Sequence, residues 1–312
     1  MVRPTLLLTG GSGMVGRNIL EHNEINDWKI LAPSSRELDL TNADSVTKYT
    51  KENEIDIVIN AAGHVGGIQA NIEDPVKFLE KNLVMNRNLI MNAYDIGIKN
   101  FINLASTCMY PANSTKPLKE EDILGGKLEP TNEGYALAKI AATKLCQYIN
   151  NQNSSYNYKT IIPSNLYGRH DKFNPEVSHL IPAIIYKIHK AKINLINEVV
   201  VWGDGKARRE FLFVGDFADA IIRAAKNIKA LPDLMNCGLG ADYSVKTYYK
   251  TAAKIIGWNG KLVYDITKPV GMKRKLSSIE RQLEWGWSSK TTLSQGLKAT
   301  YKHYTEEVTC EL

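Results

Sequence analysis

Five short apolar runs mark the first half of the chain, each closed by a turn-forming or small residue. Thr5-Leu6-Leu7-Leu8-Thr9 stops at Gly10, and Trp28-Lys29-Ile30-Leu31-Ala32 runs into Pro33-Ser34-Ser35. Asp56-Ile57-Val58-Ile59-Asn60 closes on Ala61-Ala62-Gly63, Phe101-Ile102-Asn103-Leu104-Ala105 on Ser106-Thr107, and Lys159-Thr160-Ile161-Ile162 on Pro163. Between them the spacing turns helical, from Met14 and again over residues 75–98. Apolar strands alternating with helices predict a parallel sheet covered on both faces, an α/β doubly wound fold. After Pro163 the alternation dissolves into loops holding Gly168, Pro175 and Gly203-Asp204-Gly205. Residues 211–214 followed by 216–227 predict one more strand and helix returning to the sheet. The remainder, with Trp258, Trp285 and Trp287, predicts a smaller C-terminal lobe. There is no internal repeat and no low-complexity linker.

Composition changes this picture little. The 312 residues are 44% hydrophobic and 23% charged, ordinary for a globular protein. Leu6 to Leu8 is too short a run for a signal-peptide core, and no stretch approaches the ~18 apolar residues of a membrane span. A cytoplasmic address with no membrane partner is expected. Cys108, Cys146, Cys237 and Cys310 form no Cys-x-x-Cys pair and have no histidine at metal spacing, so neither a disulfide framework nor a metal site is expected. The net charge of +6 is spread along the chain. That suits a solvated basic surface better than nucleic-acid binding, and it is compatible with polyphosphate ligands.

Candidate chemistry begins at Gly10-Gly11-Ser12-Gly13-Met14-Val15-Gly16, between the first predicted strand and the first helix. Glycines there allow a tight turn and close approach to a pyrophosphate resting on the helix N-terminus. The segment predicts dinucleotide binding by Gly10, Ser12, Gly13, Met14 and Val15. A preference for NAD would call for an acidic residue at the end of the second strand to hold the ribose 2′-hydroxyl. Pro33-Ser34-Ser35-Arg36 has none before Glu37, and Arg36 suits a 2′-phosphate, which favours NADPH.

Tyr135 and Lys139 stand four apart in a helical stretch and share one face. A lysine charge near the phenol would favour tyrosinate and let it exchange a proton with a ketone. Tyr186/Lys190 and Tyr264/Lys268 repeat the spacing, so spacing alone decides nothing. Only Tyr135 has a Ser-Thr pair, Ser106-Thr107, at the end of the strand immediately preceding it, with the glycine turn upstream.

In these segments the chain resembles the extended short-chain dehydrogenase/reductases, and among them the GDP-L-fucose synthases. The likeness rests on Asn60-Ala61-Ala62-Gly63 with Val65-Gly66-Gly67-Ile68, on Ser106-Thr107-Cys108-Met109-Tyr110-Pro111, and on Leu128-Glu129-Pro130-Thr131-Asn132-Glu133. It continues through Pro163-Ser164-Asn165-Leu166-Tyr167-Gly168, His170-Asp171, Ser178-His179-Leu180-Ile181-Pro182-Ala183, Val199-Val200-Val201-Trp202-Gly203 and Arg209-Glu210-Phe211, nearly end to end. The resemblance implies a Rossmann domain over 1–164 plus about 211–236, and a sugar-nucleotide lobe over about 165–210 and 237–312. It implies that Ser106 holds a ketone oxygen, Tyr135 protonates it and Lys139 anchors the nicotinamide ribose. Asp39, Leu40, Ala61, Ala62, Pro163, Asn165 and Leu166 would complete the cofactor set. Cys108 and His179 would move the protons that invert carbons 3 and 5. Asn165, Lys187, Trp202 and Arg209 would grip the nucleotide diphosphate and base of a GDP-linked 4-keto sugar.

Taken alone, Cys108 reads as a buried small hydrophobe, His179 as a helix cap, Trp202 as a core tryptophan and Lys187 as a solvated lysine. The chain departs from the family at Ser12, His64, Phe213-Val214-Gly215-Asp216, Lys206-Ala207-Arg208 and Ser277-Ser278. Most of these lie where sugar and nucleotide dock, so they bear on which sugar is used. The implied activity is NADPH-dependent epimerisation and carbon-4 reduction of a GDP-4-keto-6-deoxy sugar. The alternative is a reductase alone, acting on a GDP-4-keto heptose or similar sugar. Ser106-Thr107-Cys108-Met109 stands where sugar-nucleotide dehydratases resemble Ser-Thr-Asp-Glu. A catalytically silent dinucleotide sensor would not need Ser106, Tyr135 and Lys139 together. A homodimer is expected, with Phe78, Leu79, Leu83, Leu89, Ile90 and Leu145 as its apolar seam.

Overall fold

The computed structural model describes residues 3–114, 116–174, 178–268 and 272–308. Pro175 and Cys310 lie outside them. Six parallel strands form the central sheet: β1 (Thr5–Thr9), β2 (Lys29–Leu31), β3 (Ile57–Asn60), β4 (Asn100–Leu104), β5 (Asn157–Pro163) and β6 (Leu234–Cys237). Their order is β6-β5-β4-β3-β1-β2. The order reverses between β1 and β3, which makes the carboxyl ends of these two strands the natural ligand crevice.

The two-residue period of a strand assigns each side chain to one face of the sheet. Leu6, Leu8, Ile57, Ile59, Ile102 and Leu104 enter the first core, and Leu7, Val58 and Phe101 enter the layer on the opposite face of the sheet. Helices α1 (Met14–Leu20), α2 (Ala43–Glu52), α3 (Pro75–Asp95) and α4 (Glu133–Gln152) belong to this unit. Asn42 caps α2 by accepting from the amides of Asp44 and Ser45, and Asp74 caps α3 by accepting from Lys77. Further along come α5 (Leu180–Ile193), α6 (Val214–Lys226), α7 (Val245–Ile256) and α8 (Leu293–His303). A second core gathers Ile181, Ile184, Ile185 and Ile188 of α5 with Tyr248 of α7, Leu297 of α8, Tyr167 and Trp258.

Two expectations are corrected. Phe211–Phe213 does not return to the central sheet; it pairs in parallel with Asn165–Tyr167 as a separate ribbon. The ribbon runs between the cores, Phe211 facing the second and Leu212 the first, so its apolar run has a cause other than the sheet. The sixth sheet strand is β6, while α6 does pack on the sheet through Phe217, Ala218, Ile221 and Ile222. Secondly, Trp285 and Trp287 join the first core and not the smaller lobe. Trp287 donates its Nε1–H to Asp219 at 2.7 Å.

Candidate active site

The glycine turn lies at the switch point. Gly10 takes φ +73°, and a Cβ there would meet the Ala61 carbonyl oxygen at 2.6 Å. The loops after β1 and β3 therefore touch backbone to backbone. Gly13 is the N-cap of α1, so the first-turn amides of Met14 and Val15 point out of the helix without intrahelical partners. Behind them a buried chain of amides holds the loop after β3. Thr9 Oγ1 donates to Asn60 Oδ1 (2.9 Å), and Asn60 Nδ2 donates to Asn86 Oδ1 (2.8 Å). Asn82, one turn earlier on α3, accepts from the His64 amide (2.9 Å) and donates to its carbonyl (3.0 Å). Asn82 and Asn86 are residues that sequence reasoning left out, although their i, i+4 spacing on a helix was legible. Ala61 and Ala62 are fixed by this chain of contacts.

Past β2, Arg36 is exposed and makes no ion pair or hydrogen bond among the described residues. Its neighbour Glu37 accepts instead from the amide and hydroxyl of Ser34. Asp39 accepts from the amide and hydroxyl of Thr41, which hold its carboxyl below the usual range. Leu40 is buried beneath it, with its carbonyl accepting from Asn88.

The catalytic candidates meet at the carboxyl end of β4. Lys139 is only 3% exposed, and its Nζ donates to the Leu104 carbonyl at 2.8 Å. Burial lowers its pKa to about 8, with Cys108 opposing. Lys139 Nζ lies 5.8 Å from the Tyr135 ring centroid. Burial pushes the Tyr135 phenol well above its ordinary value, and Cys108 adds to the rise. Ser106 caps the short helix Thr107–Met109, its Oγ accepting from the Cys108 amide at 3.4 Å. The Cys108 thiol is buried, and burial raises its pKa despite the opposing pull of Lys275 and Lys139.

His179 occupies the N-cap position of α5, but its side chain makes no capping hydrogen bond, so it is not the helix cap expected of it taken alone. Desolvation lowers its pKa and Lys172 lowers it further; Cys108 is not among the groups acting on it. Pro163 ends β5, and Asn165 opens the ribbon, donating through Nδ2 to the Glu210 carbonyl at 3.0 Å. Leu166 packs against the first core.

A three-stranded patch supplies charge that sequence spacing concealed. Arg208–Arg209 pairs with Tyr243–Ser244 on one side and with Arg274–Lys275 on the other, in register Arg208 to Arg274 and Arg209 to Lys275. Neighbours in a strand point to opposite faces. Arg208 and Arg274 both bond Asp242, whose carboxylate is buried between them. Arg209 and Lys275 share the other face. Burial lowers the pKa of each, and Arg209 depresses Lys275 further while Cys108 opposes. Two basic side chains are thus held on one face, and Lys275 acts on the Cys108 thiol. Lys275 was missed because no spacing within the chain marks it.

Trp202 is 56% exposed, which rules out a core role. Lys187 Nζ on α5 lies 5.5 Å from its ring centroid and Lys268 Nζ 5.9 Å. Burial lowers the pKa of Lys187, so it is not simply solvated.

Comparison with known proteins accords with this geometry. The model of the family described as "NAD dependent epimerase/dehydratase family" matches residues 6–238. A GDP-L-colitose synthase from Yersinia pseudotuberculosis is 49% identical over 97% of this chain and 98% of its own. A GDP-L-fucose synthase from Azorhizobium caulinodans is 49% identical over 96% of each. Among solved structures, a GDP-mannoheptose C4 reductase from Campylobacter jejuni with NADP bound superposes with a TM-score of 0.89. It is 29% identical and the match covers 98% of this chain and 99% of that one. Likeness of this extent, with the glycine turn at the switch point and the Tyr135–Lys139 pair at the end of β4, makes the chain a member of the NAD-dependent epimerase/dehydratase family.

Proposed function

We propose that the protein is an NADPH-dependent epimerase/reductase of a GDP-linked 4-keto-6-deoxy sugar. The observation that carries this reading is the meeting of Ser106, Cys108, Tyr135 and Lys139 at one strand end, with Arg209 and Lys275 paired beside them. A dinucleotide fits the cradle: the Gly10 and Ala61 backbones leave no room for a side chain, and the α1 amides face outward. Gly10, Ser12, Gly13, Met14 and Val15 would hold its diphosphate and Arg36 its 2′-phosphate. Ala61, Ala62, Pro163, Asn165 and Leu166 would line its nicotinamide half, with Asp39 and Leu40 near its adenine. When bound, the nicotinamide supplies a hydride.

The chain's own residues do the rest. Ser106 Oγ, free to turn its hydrogen outward, would donate to the ketone oxygen. Tyr135 holds its proton until negative charge develops there, then gives it up. Lys139 would pass its ammonium from the Leu104 carbonyl to the ribose. Cys108 and His179 would move protons at the carbons flanking the ketone. Arg209 and Lys275 would balance the diphosphate, and Trp202 with Lys187 would receive the base. We extend the proposal to a cytoplasmic homodimer with its substrate bound between a dinucleotide domain, 1–164 plus about 211–236, and a sugar-nucleotide lobe. No helix among the described residues is long and apolar enough to cross a membrane.

The likeness to a GDP-mannoheptose C4 reductase supports a second reading, in which the enzyme reduces without epimerising. The test is NADPH consumption with GDP-4-keto-6-deoxy-D-mannose and with GDP-4-keto heptoses, followed by NMR of the product. Consumption giving a product inverted beside carbon 4 is expected; consumption without inversion selects the second reading. No turnover with any 4-keto sugar nucleotide would overturn both.

A further inference from the structure

Away from the cofactor crevice, His170, His303 and Glu307 each offer one ligand atom, and these atoms lie within 4.8 Å of one another. They come from two parts of the fold. His170 follows the strand Asn165–Tyr167, His303 ends α8, and Glu307 sits in the π-turn Tyr304–Val308 that continues it. His170 takes φ +64°, an unusual backbone for a non-glycine residue that the surroundings must hold in place. Its side chain is 9% exposed, and its Nε2 lies 2.6 Å from Glu21 Oε1 at the end of α1. A carboxylate only accepts, so Nε2 carries the proton, and in the uncharged ring Nδ1 holds a lone pair. That Nδ1 is buried and has no hydrogen-bond partner.

A histidine with one nitrogen fixed by a carboxylate and the other presenting an unsatisfied lone pair is the arrangement of a metal ligand with its supporting shell. The His303 ring stands edge-on to that of His170, centroids 4.6 Å apart, and its Nδ1 is 3.3 Å from Glu307 Oε1. We propose that His170, His303 and Glu307 form a binding site for a divalent transition-metal ion, with zinc as its reference occupant and Glu21 orienting His170. Ligands at ~2.0–2.1 Å around zinc stand about 3.4 Å apart, so the side chains close by roughly an ångström as the ion binds. The ion joins α1, the segment leading toward His179, and the end of α8. It takes no part in the chemistry proposed above, and its fate is independent of that reading.

The test uses the full chain stripped with a chelator and titrated with Zn²⁺ and Co²⁺. One equivalent should bind, raise the melting temperature, and give a Co²⁺ visible spectrum of nitrogen and oxygen ligands without a thiolate band. Glu307→Gln, a change at an exposed position, and His303→Gln should each weaken Zn²⁺ binding tenfold or more. Glu21→Gln should weaken it about 10–100-fold. NADPH affinity should be unchanged in Glu307→Gln. Absence of stoichiometric binding, a thiolate band, or equal affinity in the Glu307 and His303 variants would overturn the site.

Discussion

Lys139 carries the most consequential charge in the site. It is buried, has its ammonium on a carbonyl and not a carboxylate, and titrates at about 8 in place of its ordinary 10.5. Below pH 8 the fold therefore buries a charge that the unfolded chain would hydrate. That cost is relieved as pH rises from about 8 toward the unfolded value of about 10.4. Lys139→Met should accordingly stabilise the fold at pH 7 by on the order of 3 kcal/mol at most, read as a raised melting temperature, with the gain gone near pH 10. A variant less stable than the parent at pH 7 would contradict this. The same change should weaken cofactor binding and reduction together. Tyr135→Phe, which removes only the proton donor, should slow reduction by ~10²–10⁴ while NADPH titration stays near normal. Near-normal turnover would end the catalytic assignment.

Among elements, the two-residue strands do the most with the least sequence. Arg208–Arg209 and Arg274–Lys275 lie far apart in the chain, and only their register puts two cations on Asp242 and sets Arg209 beside Lys275, which acts on Cys108. Lys275→Met should raise KM for the GDP-sugar about 10–100-fold, a charge-assisted contact of ~1.5–3 kcal/mol, with NADPH affinity unchanged. Arg36→Ala should weaken NADPH by a similar factor and leave NADH alone; equal affinity of the parent protein for both cofactors would contradict that role. The contrast between these arginines shows what sequence could reveal. β1, the glycine turn and α1 are contiguous, so one stretch of chain carries strand, turn and helix signals together. Tyr135 and Lys139 share a helix face for the same reason. Lys275, the Asn60–Asn86 contact and the His170–His303 pair are joined only by folding, and no local pattern encodes them. Phe211–Phe213 misled because a ribbon buried between two cores is as apolar as a sheet strand.

At the scale of the molecule, the dimer seam needs revision. Phe78, Leu89 and Ile90 are buried within the single chain and cannot face a partner. Val76 and Leu83 on α3 and Leu137 and Tyr148 on α4 are exposed on the same helix pair, and they are the better candidates. Light scattering at micromolar concentration should give a dimer, and Leu83→Lys with Leu137→Lys should give a monomer; a parent monomer would remove the homodimer from the account. Its central claim, that one site both epimerises and reduces, has a more direct test. Cys108 is buried beside two cations, with its thiol nonetheless raised, so proton removal there depends on substrate bringing the ketone into place. The 4-keto substrate should be incubated with the protein in heavy water without NADPH and read by NMR. Deuterium should enter at carbon 3, carbon 5 or both, and Cys108→Ser should suppress it while sparing reduction of an already inverted substrate. Reduction of the substrate by the parent protein with no deuterium uptake would contradict the claim and leave a reductase alone.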